Sequence, residues 1–220
     1  MKLVAAGLGG LLVSLAPVAV GDNQRVVGAF SEATLAGWEE EVFAGRTDYV
    51  LVEAPGKGTV LHAQCSDAAS GLWRRLEVDL RETPVLEWSW RVDRTFSDID
   101  ETVRAGDDYP ARVYVVVDGG WRRWRTRAIN YVWASELPGG ADWPNAYASQ
   151  AHMVAVRSGA PDEAGVWRHE SRNVRKDFAR YHDREVDRID AVAIMTDCDD
   201  TGGEAEAWYG DIRFTASSQD

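Results

Sequence analysis

The chain is expected to fold as an all-β protein, an antiparallel β-sandwich of the jelly-roll type. Three observations carry that expectation. Short runs with apolar residues at every second position recur along the sequence. Gly, Pro and Asp punctuate them at turn positions. Helical spacing is confined to a few residues.

The elements follow in order. Met1-Lys2 is a basic start, Leu3 to Val20 is apolar or small apart from Ser14, and Ala19-Val20-Gly21 offers small residues. This is the layout of a secretory signal peptide, with cleavage expected after Gly21. An uncleaved anchor is the competing reading, since the stretch is about long enough to cross a bilayer. Residues 22–220 are then expected to form a single soluble domain, periplasmic or secreted. Glu32 to Ala36 suits a short turn. Tyr49 to Glu53 and Thr59 to Ala63 flank the turn Ala54-Pro55-Gly56-Lys57-Gly58. Leu72 to Leu80 alternates loosely. Val85 to Val92 alternates cleanly and puts Leu86, Trp88, Trp90 and Val92 on one face. Ala111 to Val117 is a nearly continuous apolar run that ends at Asp118-Gly119-Gly120. Trp121 to Trp133, His152 to Arg157 and Gly165 to Val174 follow, with a helical turn or two over Lys176 to His182. Ala191 to Met195 and Ala207 to Phe214 close the fold. Asp98 to Asp108 is a long acidic loop, the kind of segment that carries function in a compact β-domain.

The net charge is −12. It argues against nucleic acid and anionic lipid as partners, because both bind through clustered Lys and Arg. No membrane association is expected once the leader is removed, and a monomer is expected. The two cysteines, Cys65 and Cys198, form one disulfide in an oxidising compartment or remain two isolated thiols.

Several segments together resemble a known family. They are Trp88-Ser89-Trp90-Arg91-Val92, Gly106 to Val116, Asn130-Tyr131-Val132-Trp133-Ala134, Pro144-Asn145-Ala146-Tyr147, Glu170-Ser171-Arg172-Asn173-Val174 and Ile194 to Phe214. The chain is similar to the bacterial secreted family catalogued as domain of unknown function 3047, over nearly all of its mature length. The resemblance implies a small exported protein and brings no activity with it. The layout is also similar to carbohydrate-binding jelly rolls, which open near a Gly-Trp such as Gly37-Trp38 and close on a strand such as Gly210-Asp211-Ile212-Arg213-Phe214. A small polar residue is expected where Cys198 stands, so a disulfide there would be particular to this chain.

Ten tryptophans invite two readings. Trp88 and Trp90 are expected in the core. Trp121, Trp124, Trp133, Trp143 and Trp167 lie beside turns or charges, and one or two of them could stack on a sugar. A polar constellation lies in the segments of the resemblance: Arg91, Asp107, Asp108, Tyr109, Arg112, Asn130, Tyr131, Asn145, Tyr147, Glu170, Arg172 and Asn173, with Trp133 beside it. It is either an internal network, with Arg112 on Asp107 or Asp108, or a groove for an anionic or polyhydroxylated ligand.

The preferred function is a non-catalytic binding domain for a glycan or cell-envelope polymer. The alternatives are a polysaccharide-cleaving enzyme, most plausibly a lyase on a uronic-acid polymer, and a structural envelope protein that binds another protein. His62, His152, His169 and His182 are dispersed, without metal-ligand spacing. Asp197, Asp199, Asp200 and Asp211 could supply oxygens to a structural Ca²⁺, or form a solvated turn with no cofactor. The polar constellation, and not this loop, is taken as the ligand site. Mass spectrometry of the exported protein should find a new N-terminus at residue 22, and an intact Met1 in a membrane fraction would overturn the cleavage expectation.

Overall fold

A computed structural model describes residues 24–216. The leader assigned to residues 1–21 lies outside the described residues. The strands are β1 (Gln24–Gly28), β2 (Glu39–Ala44), β3 (Asp48–Ala54), β4 (Gly58–Ser66), β5 (Ala69–Asp79), β6 (Val85–Val92), β7 (Ala111–Val117), β8 (Arg127–Ala134), β9 (Asp142–Pro144), β10 (Ala151–Ser158), β11 (Arg168–Asn173), β12 (Arg188–Asp197) and β13 (Glu204–Thr215). One α-helix, α1 (Val174–His182), follows β11, with Asn173 as its cap accepting from the Lys176 amide at 3.0 Å.

The strands form two sheets, as expected for a sandwich. Sheet A runs β11-β6-β13-β4-β3, with β1 also paired to β13. Sheet B runs β2-β5-β12-β7-β8-β10-β9. The pairing is antiparallel except between β8 and β10, which run parallel. A parallel pair needs a crossover of a dozen or more residues. Residues 135–150 provide it, and they carry β9.

Alternation sets the core. Leu86, Trp88, Trp90 and Val92 of β6 face inward, as read from the sequence, together with Leu61 and Ala63 of β4 and Tyr209, Ile212 and Phe214 of β13. Sheet B answers with Val113 and Val115 of β7, Ile129, Tyr131 and Trp133 of β8, and Val192 and Ile194 of β12. Trp88 meets Trp90 edge-on at 5.3 Å and stacks on Tyr131 at 5.5 Å, and Trp90 lies 5.8 Å from Trp133. Each such contact adds to the area term, about 1 kcal/mol beyond burial itself.

Two differences from the sequence reading have physical reasons. The strand expected from Trp121 begins at Arg127, because the preceding residues form a loop with a 3-10 turn at Arg123–Arg125. β2 begins Glu39-Glu40-Glu41, with no apolar alternation to mark it. It is an edge strand, where charges guard against pairing with another chain.

Cys65 of β4 and Cys198, just after β12, are joined by a disulfide with Cα atoms 6.3 Å apart. The bond links the two sheets and closes a separation of 133 residues. In the chain-entropy model such a link stabilises by about 5 kcal/mol. Cys65→Ser/Cys198→Ser should therefore melt about 10–20 °C lower than the oxidised protein, read by calorimetry. A drop of less than about 3 °C would show that the link contributes little.

Candidate functional site

Sheet A carries a cleft of about 480 Å³ on its outer face. Its position follows from a bulge. The β13–β6 register shifts between Tyr209 and Ile212, so Gly210 and Asp211 leave the regular alternation. Gly210 forms part of the floor. A Cβ there would collide with Ser89 Oγ and lie 3.3 Å from Lys57 Cε. Glycine inside a strand often marks such a close approach.

The walls come from neighbouring strands. His169 and Ser171 of β11 pair with Ser89 and Glu87 of β6. Thr59 of β4 and Lys57, from the β3–β4 turn, close one side, with Lys57 Nζ 5.1 Å from the ring centre of half-buried Trp167. Asp211 accepts the Ser31 amide at 2.8 Å and the Ser31 hydroxyl, and Arg213 Nε donates to Glu87 at 3.0 Å. Among the described residues, Ser89 Oγ, Ser171 and His169 form no intramolecular side-chain hydrogen bond. The cleft thus offers free hydroxyls, an imidazole and an ammonium beside an indole.

The polar constellation divides among separate places. At the start of β7, Arg112 is buried. Its Nε donates to Asp197 Oδ1 at 2.8 Å, its Nη2 reaches Asp197 Oδ2 and the Asp107 carbonyl, and its Nη1 lies 3.6 Å from the Asp107 carboxylate. The guanidinium stacks 4.3 Å from the Tyr109 ring centre. Asn145 donates to both oxygens of Asp107 at 3.2 and 3.1 Å. Asp108 accepts the amides of Asp200 at 3.2 Å and Thr201 at 2.7 Å, and Tyr147 bonds to Asp200. Asn130 donates to Met153 Sδ at 3.1 Å, as Asn145 does at 3.5 Å. The terminal acidic loop and this part of the constellation are therefore one cluster.

The other residues sit elsewhere. Arg91, on the outer face of sheet A, pairs with Asp93 and stacks 3.7 Å from Trp208. Tyr131 donates to Asp177 at 2.7 Å, and Arg172 holds the same carboxylate at 2.9 and 2.8 Å. Glu170 accepts from Trp90 Nε1 at 3.0 Å and from Arg157 at 2.7 Å. Trp133 Nε1 donates to Gly159 O, and Asn173 caps α1. Of the five candidate indoles, Trp133 and Trp143 are buried. Asp211 serves Ser31 in the cleft, apart from the loop carboxylates it was grouped with.

Charge dominates the cluster. Burial pushes the Asp107 carboxyl above its ordinary range against the pull of Arg112 and Asn145. Burial raises Asp197 too, with Arg112 opposing it. Asp199 is raised by burial and by its neighbour Asp200. The hydrogen bond to Asp200 pushes the Tyr147 phenol up to about 12. Asp108, Asp199 and Asp200 each place a carboxylate oxygen within 4.8 Å of the others. That spacing and the hard oxygen donors fit a cation such as Ca²⁺.

Comparison with known proteins places the chain. A model of the family described as protein of unknown function (DUF3047) matches residues 36–213. The chain belongs to this family. No curated protein matches it in sequence. Among solved structures, the DUF3047 chain is similar to a family 11 carbohydrate-binding module of a Clostridium thermocellum cellulosomal cellulase. The two are 8% identical with a TM-score of 0.49, over 91% of this chain and 98% of that one. An adhesin domain of Lys-gingipain from Porphyromonas gingivalis is 11% identical with a TM-score of 0.42, over 89% and 99%. A β-1,2-glucanase from Parabacteroides distasonis is 13% identical with a TM-score of 0.45, over 83% of this chain and 23% of the enzyme.

The cleft residues Ser89, His169, Ser171 and Lys57 of this DUF3047 member escaped the sequence reading. Their signal was Gly210 in the middle of an alternating strand. Arg112→Met should lower the melting temperature by about 10 °C, because it strands Asp197 in the interior at a cost of about 3–5 kcal/mol. Adding Asp197→Leu should recover part of that loss, and a pair that melts no higher than Arg112→Met alone would show that the two side chains are not coupled.

Proposed function

We propose that the chain is an exported, non-catalytic glycan-binding domain, with a sugar seated in the cleft over Gly210. The cleft's composition carries the reading. Ser89, Ser171, Thr59 and His169 can trade hydrogen bonds with sugar hydroxyls, and Asp211 and Lys57 can fix their direction; the half-buried Trp167 indole stands next to them, 5.1 Å from Lys57 Nζ, where it can meet sugar C–H groups. The open floor at Gly210 supports it too, since a side chain there would fill the space. Export is supported by the leader-like start of the sequence and by the Cys65–Cys198 link.

A lyase would need a mobile Tyr or His near an Arg that neutralises the uronate. Tyr131 is buried against Asp177, Arg112 is held by Asp197, and Arg172 is spent on Asp177. These engagements leave none of the three free for proton transfer or for neutralising a uronate.

Titration against neutral oligosaccharides and polyuronates, followed by calorimetry, should find a ligand that binds without generating the ultraviolet absorbance of an unsaturated product. Gly210→Ala should stay folded, since Ser89 and Lys57 are flexible enough to give way, yet bind at least about tenfold more weakly, a loss of about 1.4 kcal/mol. Trp167→Ala should weaken the same ligand. Unsaturated product would establish the lyase instead. Full binding by Gly210→Ala with loss in Trp73→Ala would move the site to the half-exposed Trp73–Tyr114 pair on the outer face of sheet B.

A further inference from the structure

The loop between β7 and β8 departs from the rest of the surface. It reads Trp121-Arg122-Arg123-Trp124-Arg125-Thr126-Arg127 in a chain of net charge −12. Trp121 is 80% exposed and Trp124 62%. Their rings stand nearly perpendicular, 6.2 Å apart, and form one apolar tip. Indoles this bare are unusual unless they meet a partner.

Four of the cations around the tip are free of carboxylates. Arg122 lies 4.4 Å from the Trp121 ring centre. Arg127 Nη1 donates to the carbonyls of Trp124 and Thr126 at 2.8 Å each, and Arg184 Nη1 donates to the Arg125 carbonyl at 3.1 Å. Among the described residues, none of Arg122, Arg125, Arg127 and Arg184 forms an ion pair. The acids at the base of the loop are occupied. Asp118 accepts the Gly120 amide, while Asp190 accepts the Asp118 amide and pairs with Arg188 at 3.5 Å. At the opposite end of β7, about 20 Å away at the usual rise per residue, lie Asp107, Asp108, Asp197, Asp199 and Asp200 around Arg112. One end of sheet B thus gathers carboxylates, while the β7–β8 loop at the other presents arginines without carboxylate partners beside bare indoles.

We propose that this tip docks the protein on an anionic lipid bilayer. Trp121 and Trp124 enter the interfacial layer, where amphipathic rings are favoured, and the Arg side chains meet lipid phosphates. A projecting apolar tip suits a plane of lipid, whereas an anionic polymer calls for a groove that tracks its charges. The carboxylate cluster at the far end of β7 is repelled by the same surface, which favours docking with the tip inward. The net acidity of the chain hides this patch because its cations are gathered in one short loop.

The test is vesicle co-sedimentation of residues 22–220, which include every described element of the fold. The protein should pellet with vesicles of one part phosphatidylglycerol to one of phosphatidylcholine, and not with phosphatidylcholine alone. Trp121→Ser/Trp124→Ser and Arg122→Glu/Arg125→Glu should each reduce the bound fraction at least tenfold while keeping the parent melting temperature, since Trp121, Trp124 and Arg125 are exposed, Arg122 is half-buried and none of them is part of the core. Absence of pelleting at low salt, or unchanged pelleting of both variants, would overturn the proposal. Capture by soluble heparin with no vesicle binding would overturn it too and assign the tip to an anionic polymer.

Discussion

One buried guanidinium holds an end of the sandwich together. Arg112 stands at the start of β7, and it draws in Asp197 from β12 and Asp107 from the long loop before β7. Asp108, next to Asp107, then accepts the amides that shape the turn after β12. That turn begins at Cys198, whose disulfide crosses to β4 in the opposite sheet. Removing the charge would leave carboxylates buried without a cation, which is worse than never having built the pair. The acidic turn, the long loop and the sheet-to-sheet link therefore all depend on Arg112.

Tyr209 completes this end from the other sheet. It is fully buried on β13, and its hydroxyl donates to the Met195 carbonyl at 2.8 Å, lies 2.9 Å from Thr196 Oγ1 and accepts the Arg112 amide at 3.4 Å. Thr196 in turn donates to the Pro110 carbonyl at 2.9 Å. A phenol in the core satisfies backbone groups where β7 and β12 begin and end, so the layers are fixed by directional bonds as well as by apolar contact. Burial raises the Tyr209 phenol far above its ordinary range, which keeps it a neutral donor at every physiological pH.

Period-two patterning was legible wherever one sheet face was apolar, as in β6 and β13, because alternation is a local property. The charged edge strand β2 and the three-residue β9 were not, since neither carries an apolar rhythm. The constellation exposed a different limit. Its members looked alike in sequence, as polar groups interrupting apolar strands, yet Tyr131 and Arg172 serve Asp177 on α1, and Arg112 serves Asp197, 85 residues on. Which polar groups meet is decided by topology. An internal network on Arg112 was one of the two readings, and its main partner, Asp197, had been grouped with the terminal loop as a metal ligand. The sharp separation drawn between constellation and loop dissolves for the same reason: β7 and β12 are neighbours in sheet B, so their polar ends coincide.

The bulge at Gly210-Asp211 shows how little sequence is needed to make a cavity. An uninterrupted alternation through β13 would put side chains at regular intervals over the outer face of sheet A and leave it flat. One extra residue breaks the period, and choosing glycine removes the side chain at the deepest point. Asp211, turned aside by the same bulge, ties down the 3-10 turn at Phe30–Glu32 through Ser31 and so fixes one wall. The cleft and its support arise from a single local irregularity. The rigid network around Arg112, by contrast, leaves its own polar groups mostly satisfied, with little bonding capacity for a ligand. The buried charges thus gather at one end of sheet B, while the cleft opens on the outer face of sheet A, which lets the surface of sheet A vary without unsettling those charges.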